Sequence, residues 1–282
     1  MRRVLSYIWW PLLFGVCVAV TYWGVVNDMT IVVFNVTYLS LALVIALLER
    51  VMPHEEAWLA NDGQVGPDIA HTLLNKSIAQ ALVLSLTFLG LAELASPAGH
   101  AWWPGSLPVM LQVALGLVFV EFGLYWKHRL AHEWPPLWRF HAVHHSVTRL
   151  WFLNTGRFHL VDTLSGLAFG VPLLLLLGAP SDVMIMVSAI TAFIGILTHA
   201  NVEMRCGWLN YVFNTPELHR WHHSKVPAEG NRNYGENLMI FDQLFGSYFN
   251  AARRPPADIG INHPMPPTFW GQLKVPFTRA PL

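Results

Sequence analysis

Apolar residues fill four long stretches in the first half of the chain, at about 8–27, 30–48, 77–97 and 107–126. Each approaches the ~20 residues a helix needs to cross a hydrocarbon core of ~30 Å. The first follows Met1-Arg2-Arg3, as the core of a signal peptide would, but it lacks a convincing small-residue cleavage site and leads straight into a second apolar stretch. It reads as a retained helix. Two shorter runs, 163–179 and 182–198, are separated by Pro180-Ser181, and the first contains Gly166, Gly170 and Pro172. At ~1.5 Å per residue such a run reaches about 25 Å, short of a full span. The pair therefore reads as a tilted hairpin or as two segments that do not fully cross. Either geometry returns the chain to the side it left.

Between and after these runs lie polar, aromatic-rich segments at 49–76, 127–162 and 199–282, the last ending in a proline-rich stretch from Arg253 that favours irregular structure. The fold class is all-α: an integral-membrane helical bundle of four spanning helices plus a short helical hairpin, under a histidine-rich helical cap. One membrane domain over 1–282 fits the length. Within it, 1–126 supplies the leading transmembrane helices, 127–250 a histidine-rich region that includes the 163–198 hairpin, and 251–282 a C-terminal tail. No internal repeat appears beyond a recurring histidine spacing.

Charge then sets the orientation. All seventeen Lys and Arg residues, from Arg2 and Arg3 through Lys76 and Lys127 to Arg279, fall on one side of this six-segment arrangement. The three opposite loops, near 28, at 98–106 and near 180, contain none. The positive-inside rule places both termini and every histidine cluster in the cytoplasm. Composition agrees with membrane residence, since 54% of residues are hydrophobic and 12% charged, against about 25% charged in soluble domains. A net charge of zero leaves no nucleic-acid footprint. Two cysteines, Cys17 and Cys206, make neither a disulfide scaffold nor an iron–sulfur cluster.

The polar segments carry the chemistry. Five of fourteen histidines lie in HRLAHEWPPLWRFHAVHH, at 128, 132, 141, 144 and 145, and ELHRWHHS repeats the His-x-x-His-His spacing at His219, His222 and His223. Residues three and four apart share a helical face, so the rings within each set can aim at one point. Neutral imidazole is the commonest side-chain ligand for transition metals. Eight rings are too many for one ion, and the plain reading is two metals held by histidine-rich helices. Scattered core or surface histidines would not repeat that spacing.

The sequence now resembles a known family. EFGLYWKHRLAH, HAVHHS, RFH, HAN, NTPELHRWHHS and NYGENLMIFDQLFGS, spread over residues 110–250, resemble the fatty acid hydroxylase and sterol desaturase superfamily of integral-membrane di-iron enzymes. The resemblance implies two iron ions, cycling between Fe2+ and Fe3+, and an O2-dependent attack on an unactivated C–H bond of a lipid. By position it makes His128, His132, His141, His144, His145, His219, His222 and His223 ligands, with His199 of THANVE as a ninth. Four residues on, where some members have another histidine, stands Glu203, either a ligand or a solvated carboxylate. His159 sits where many members have histidine, proline and an acid; here Leu160 replaces the proline and Asp162 supplies the acid. A supporting role suits His159 better than ligation.

Further residues read as support. Glu121 is an ionisable residue about two turns inside the fourth apolar run, where a carboxylate is costly unless paired. Offsets of four, three and four align Glu121, Tyr125, His128 and His132, so Glu121 is expected to accept the spare N–H of a ligand histidine. Asp242 matches an acidic position of the family and is expected to orient a ligand. Asp68, His71 and Asn75 share a face as an outer hydrogen-bond set or a capping cluster, and Asn233 and Gly235 shape a turn. His54, His100 and His263 read as surface residues.

The expected activity is hydroxylation or desaturation of a fatty acyl chain or sterol, with a sterol- or carotenoid-desaturase type as the alternative within the superfamily. Electrons must come from outside, because no Gly-rich dinucleotide fingerprint or flavin motif is present. A ferredoxin-like donor, or a cytochrome-like one with its reductase, is the expected partner. A metal transporter would instead distribute ionisable residues along its spans. Zinc would suit the same imidazoles but supplies no redox electrons. No residue discriminates among candidate lipids.

Overall fold

The computed structural model describes residues 2–88 and 102–282. Helix α1 (Arg2–Val26) and helix α2 (Thr30–Val51) form an antiparallel pair joined by a turn in which Asp28 takes a positive φ of 56°. Helix α3 runs over Val65–Phe88. It begins twelve residues ahead of the apolar run expected at 77–97, because an amphipathic first section with Asp68, His71 and Asn75 turned inward is helical too. The remainder of that run lies outside the described residues, as does His100.

Helix α4 (Val109–Glu133) is one unbroken rod from the apolar span into the polar cap, so His128 and His132 ride on a membrane helix. Helix α5 (Pro135–His145) starts with proline in its first turn, where the missing N–H costs nothing. The hairpin consists of α6 (Leu160–Gly170), a break at Pro172 into α7 (Pro172–Leu177), a left-handed Gly178, and α8 (Ser181–Thr198). Among the described residues, five stretches are long and apolar enough to cross a membrane: α1, α2, α4, α6 with α7, and α8. Val16, Ile31, Leu39, Leu43 and Leu47 stay exposed on α1 and α2, the expected state of a lipid-facing surface. The protein is a membrane protein.

The cap is built from short helices, α9 (Pro216–His222), α10 (Pro227–Gly230), α11 (Ile240–Leu244) and α12 (Phe269–Lys274), tied by loops. Residues 251–282 wrap back onto it: Arg139 donates to the carbonyls of Val275, Pro276, Thr278 and Ala280. The N-terminus lies at the same end of the bundle, with Arg2 bonded to the Pro53 carbonyl and the Arg205 N–H to that of Ser6.

Candidate metal centre

Nine histidines converge at the capped end of the bundle. His128 and His132 come from α4, His141, His144 and His145 from α5, His199 from the C-terminus of α8, and His219, His222 and His223 from α9 and its end. They sort into two groups, His128, His132, His141, His145 and His222 in one and His144, His199, His219 and His223 in the other, with candidate ligand atoms within 4.8 Å of one another in each. The His-x-x-His-His spacing does not aim a whole motif at one point. The i,i+4 pair His141/His145 serves the first group while His144 crosses to the second; His219/His223 serve the second while His222 crosses to the first. Consecutive helical residues point about 100° apart, so one short motif feeds two adjacent sites. His145 and His223 stack between the groups, ring centroids 4.4 Å apart.

The donor set fits metal ions. Facing Nε2 atoms lie 3.0 Å apart in His128/His141, 3.1 Å in His145/His222, 2.9 Å in His199/His219 and 3.1 Å in His219/His223. Metal–nitrogen bonds of about 2.1 Å at right angles give ligand edges of about 3.0 Å. The buried Nε2 of His132 has no hydrogen-bond partner. Burial is the first cause that pushes the pKa of His144, His145, His219 and His223 far below the ordinary histidine value, and it lowers His199 and His222 to about 3. Neutral rings keep a lone pair free for ligation.

Six rings are also held from behind. His128 Nδ1 donates to the Tyr234 carbonyl at 2.7 Å, His222 Nδ1 to that of Arg232 at 2.7 Å, and His144 Nδ1 to that of Arg157 at 3.3 Å. His199 Nδ1 meets Asn154 Oδ1 at 2.8 Å and His132 Nδ1 meets Asn231 Oδ1 at 3.1 Å. His141 Nδ1 donates to Asp162 at 2.9 Å, and Asp162 pairs with buried Lys127 at 2.7 Å. Such contacts fix the tautomer, presenting Nε2 inward.

Glu121 does not reach a histidine. Its carboxylate accepts the backbone N–H groups of Glu236 at 2.7 Å and Asn237 at 2.8 Å. Asp242 likewise accepts Tyr234 N–H at 2.8 Å and Gly235 N–H at 2.7 Å. Both acids clamp the 234–237 loop whose Tyr234 carbonyl holds His128, so they act one step removed. In that loop Asn233 takes a φ of 54°, and a Cβ on Gly235 would stand 2.3 Å from the Leu238 carbonyl oxygen.

Other residues fall farther out. Pro53 pairs with Val202 in an antiparallel bridge that turns Glu203 away from both histidine groups and onto His54, at 2.8 Å. Glu203 is therefore neither beside the ligands nor merely solvated, and His54 is not a free surface ring. His159 caps α6, its Nδ1 accepting Val161 N–H and its Nε2 donating to the Leu273 carbonyl, each at 3.1 Å. Asp68 pairs with Arg157 at 2.9 Å, and His71 and Asn75 bond the Phe158 carbonyl at 2.9 Å each. Together they brace the loop that holds His144 and His199. His263 is exposed.

Sequence reasoning missed Lys127, Asn154, Asn231 and Glu49. The buried Glu49 accepts Phe152 N–H at 2.9 Å and Asn201 N–H at 3.0 Å with one oxygen, tying together the loops on either side of His199. Its signal was an acid directly at the end of the second apolar run.

Apolar helices that gather nine imidazoles into two adjacent groups at one end define a membrane protein whose histidine clusters could hold metal. The chain belongs to the fatty acid hydroxylase family. The profile of that family matches residues 113–247. The ornithine lipid hydroxylase OlsE of Rhizobium tropici is 51% identical over 285 residues, which cover 99% of this chain and 86% of that protein. An alkylglycerol monooxygenase of Danio rerio is 31% identical over 61% of this chain and 35% of its own length, and the fatty acid hydroxylase vlmA of a Lecanicillium species is 31% identical over 57% and 47%. No solved structure gives a significant match.

Proposed function

We propose that this chain is a di-iron, O2-dependent lipid hydroxylase whose substrate is an ornithine lipid. The observation that carries the reading is the pair of buried imidazole groups at the end of apolar helices; the substrate rests on similarity to OlsE over nearly the whole chain. The relatives' names favour hydroxylation over desaturation. His128, His132, His141, His145 and His222 would hold one ion, and His144, His199, His219 and His223 the other. Iron bound there would supply redox electrons and activate O2, chemistry that side chains alone lack; zinc in the same site would leave the enzyme inactive.

The chain's own part is positional. Asp162, Asn154, Asn231 and three backbone carbonyls fix ring orientation, and Phe158 stacks on His144 at 4.1 Å, shielding the second group from water. Electrons come from a ferredoxin-like or cytochrome-like donor with its reductase. The one-sided distribution of Lys and Arg supports a cytoplasmic location for both termini and the metals, and in this reading 1–282 acts as one membrane unit with 251–282 closing over the cap. The test is expression in a host that makes ornithine lipid, followed by lipid mass spectrometry. A lipid heavier by one oxygen atom is expected; an unchanged lipid profile from iron-loaded protein overturns the substrate reading.

A further inference from the structure

One polar pocket touches the wall of the first histidine group. It has a volume of about 290 Å³ and lies between the end of α4 and the loops around 231 and 246, lined among others by Arg129, Glu133, Asn231, Arg232, Tyr234 and Phe245. Two of these residues also face the histidines: Asn231 bonds His132, and the Tyr234 ring centroid lies 5.3 Å from that of His132. The pocket is thus one side chain away from the candidate ligands.

Its height in the membrane follows from α4. Phe122, Trp126, Arg129 and Glu133 succeed one another along one face at offsets of four, three and four. Phe122 is exposed, and so are Ile240, Leu244 and Phe245, in the segment whose Phe241 ring lies 5.4 Å from that of Phe122 and whose Phe245 ring lies 5.0 Å from that of Trp126. Trp126 lies under the Arg129 guanidinium at 5.6 Å, an amphipathic ring at the place where tryptophans mark the membrane–water boundary. Beyond it the surface becomes charged. The pocket opens where acyl chains end and headgroups begin.

Its charges are of both signs and incompletely used. Arg129 bonds Glu133 at 2.9 Å and the Tyr125 hydroxyl at 3.1 Å through Nε and Nη1, while Arg232 gives one N–H to the Gly246 carbonyl at 2.8 Å. Among the described residues, Nη2 of each guanidinium and a carboxylate oxygen of Glu133 remain free to bond. We propose that this pocket is the headgroup subsite of the lipid substrate and takes a zwitterionic headgroup, its carboxylate on Arg129 and Arg232 and its ammonium on Glu133. The proposal rests on the lipid-hydroxylase reading and adds to it where the lipid is recognised and by which chemistry.

Equilibrium binding tests it without turnover. Full-length, metal-loaded protein in neutral maltoside micelles is titrated with ornithine acylated on one nitrogen, which keeps a free carboxylate and a free amine, and with its carboxyl methyl ester. Wild type should bind the free acid about tenfold more tightly than the ester, as loss of a charge-assisted contact implies. Arg232→Gln should bring that ratio close to one, and Glu133→Gln should remove the preference for the free amine over its N-acetylated form. Equal binding of acid and ester by wild type, or an unchanged preference in both variants, overturns the proposal. So does loss of electron uptake from a reduced donor in Arg232→Gln with the acid–ester ratio intact, which would make the pocket a donor-docking site. Absence of hydroxylated product beside normal discrimination would instead count against the hydroxylase reading alone.

Discussion

Asp162 joins the ligand field to the rest of the protein: its two oxygens hold the His141 ring and the buried Lys127 ammonium. Asp162→Asn keeps an acceptor but leaves Lys127 with only the more distant Glu236 carboxylate, at 3.9 Å. Breaking a buried pair in this way costs about 3 kcal/mol, and loss of such a contact behind a metal ligand weakens metal binding by roughly 10- to 100-fold. Metal-to-protein ratios and melting temperatures of the variant check both figures. A second residue-scale prediction concerns His54 and Glu203. Burial first, then the Arg220 charge, lowers His54 to about 4, and the bond from His54 lowers Glu203 to about 2. Unfolded His54 takes its proton near the ordinary 6.5, so its contribution to stability is complete above that pH and is lost as pH falls toward 4. Glu203 adds to the loss below its ordinary 4.5. His54→Gln keeps an N–H donor but does not titrate, so its melting temperature should fall less steeply with acid than that of wild type. The residues legible in the sequence from local spacing were eight of the histidines, and His199, which has no partner at that spacing, was legible only through the family resemblance. Of their supports Asp162 was legible as an acid at a family position, whereas Tyr234, Arg232 and Arg157 were hidden because they act through backbone carbonyls, which leave no trace in side-chain identity. Glu121 was visible as a costly buried acid, but face-sharing within α4 could not show that a loop more than a hundred residues away supplies its donors.

At the scale of elements, α4 and α6 depend on close approach. A Cβ on Gly123 would lie 1.9 Å from the Phe169 carbonyl oxygen, whereas one on Gly166 would meet nothing nearer than 4.0 Å. Small residues at such crossings let membrane helices pack through their backbones. Gly123→Ala should therefore lower the yield of folded protein severely, since the clash is with backbone and separates α4 from the helix carrying Asp162; Gly166→Ala should be tolerated. Size-exclusion profiles and melting temperatures of the two variants distinguish them. The hairpin was legible from Pro180-Ser181 and the paired apolar runs. The early start of α3 was not, because a helix with inward polar residues contributes little to hydropathy, and the bridge between Pro53 and Val202 that turns Glu203 outward depends on a tertiary pairing.

For the whole molecule, the N-terminus, the histidines and the wrapped C-terminal segment share one end of the bundle. Combined with the one-sided distribution of Lys and Arg, this predicts that topology reporters at residue 230 and at both termini read cytoplasmic, and that a reporter at residue 103 reads the opposite side; the same side for 103 and 230 would break the arrangement. In the proposed function two metal-binding histidine groups direct oxygen from O2 into a lipid. Its most direct measurement is turnover of ornithine lipid in isotopically labelled O2 by protein loaded anaerobically with about two irons per chain, with His144→Ala and His222→Ala alongside. One labelled oxygen atom in the product, with iron loading and turnover lost in both variants, is the predicted result. Unlabelled product, or full activity in either variant, would contradict it.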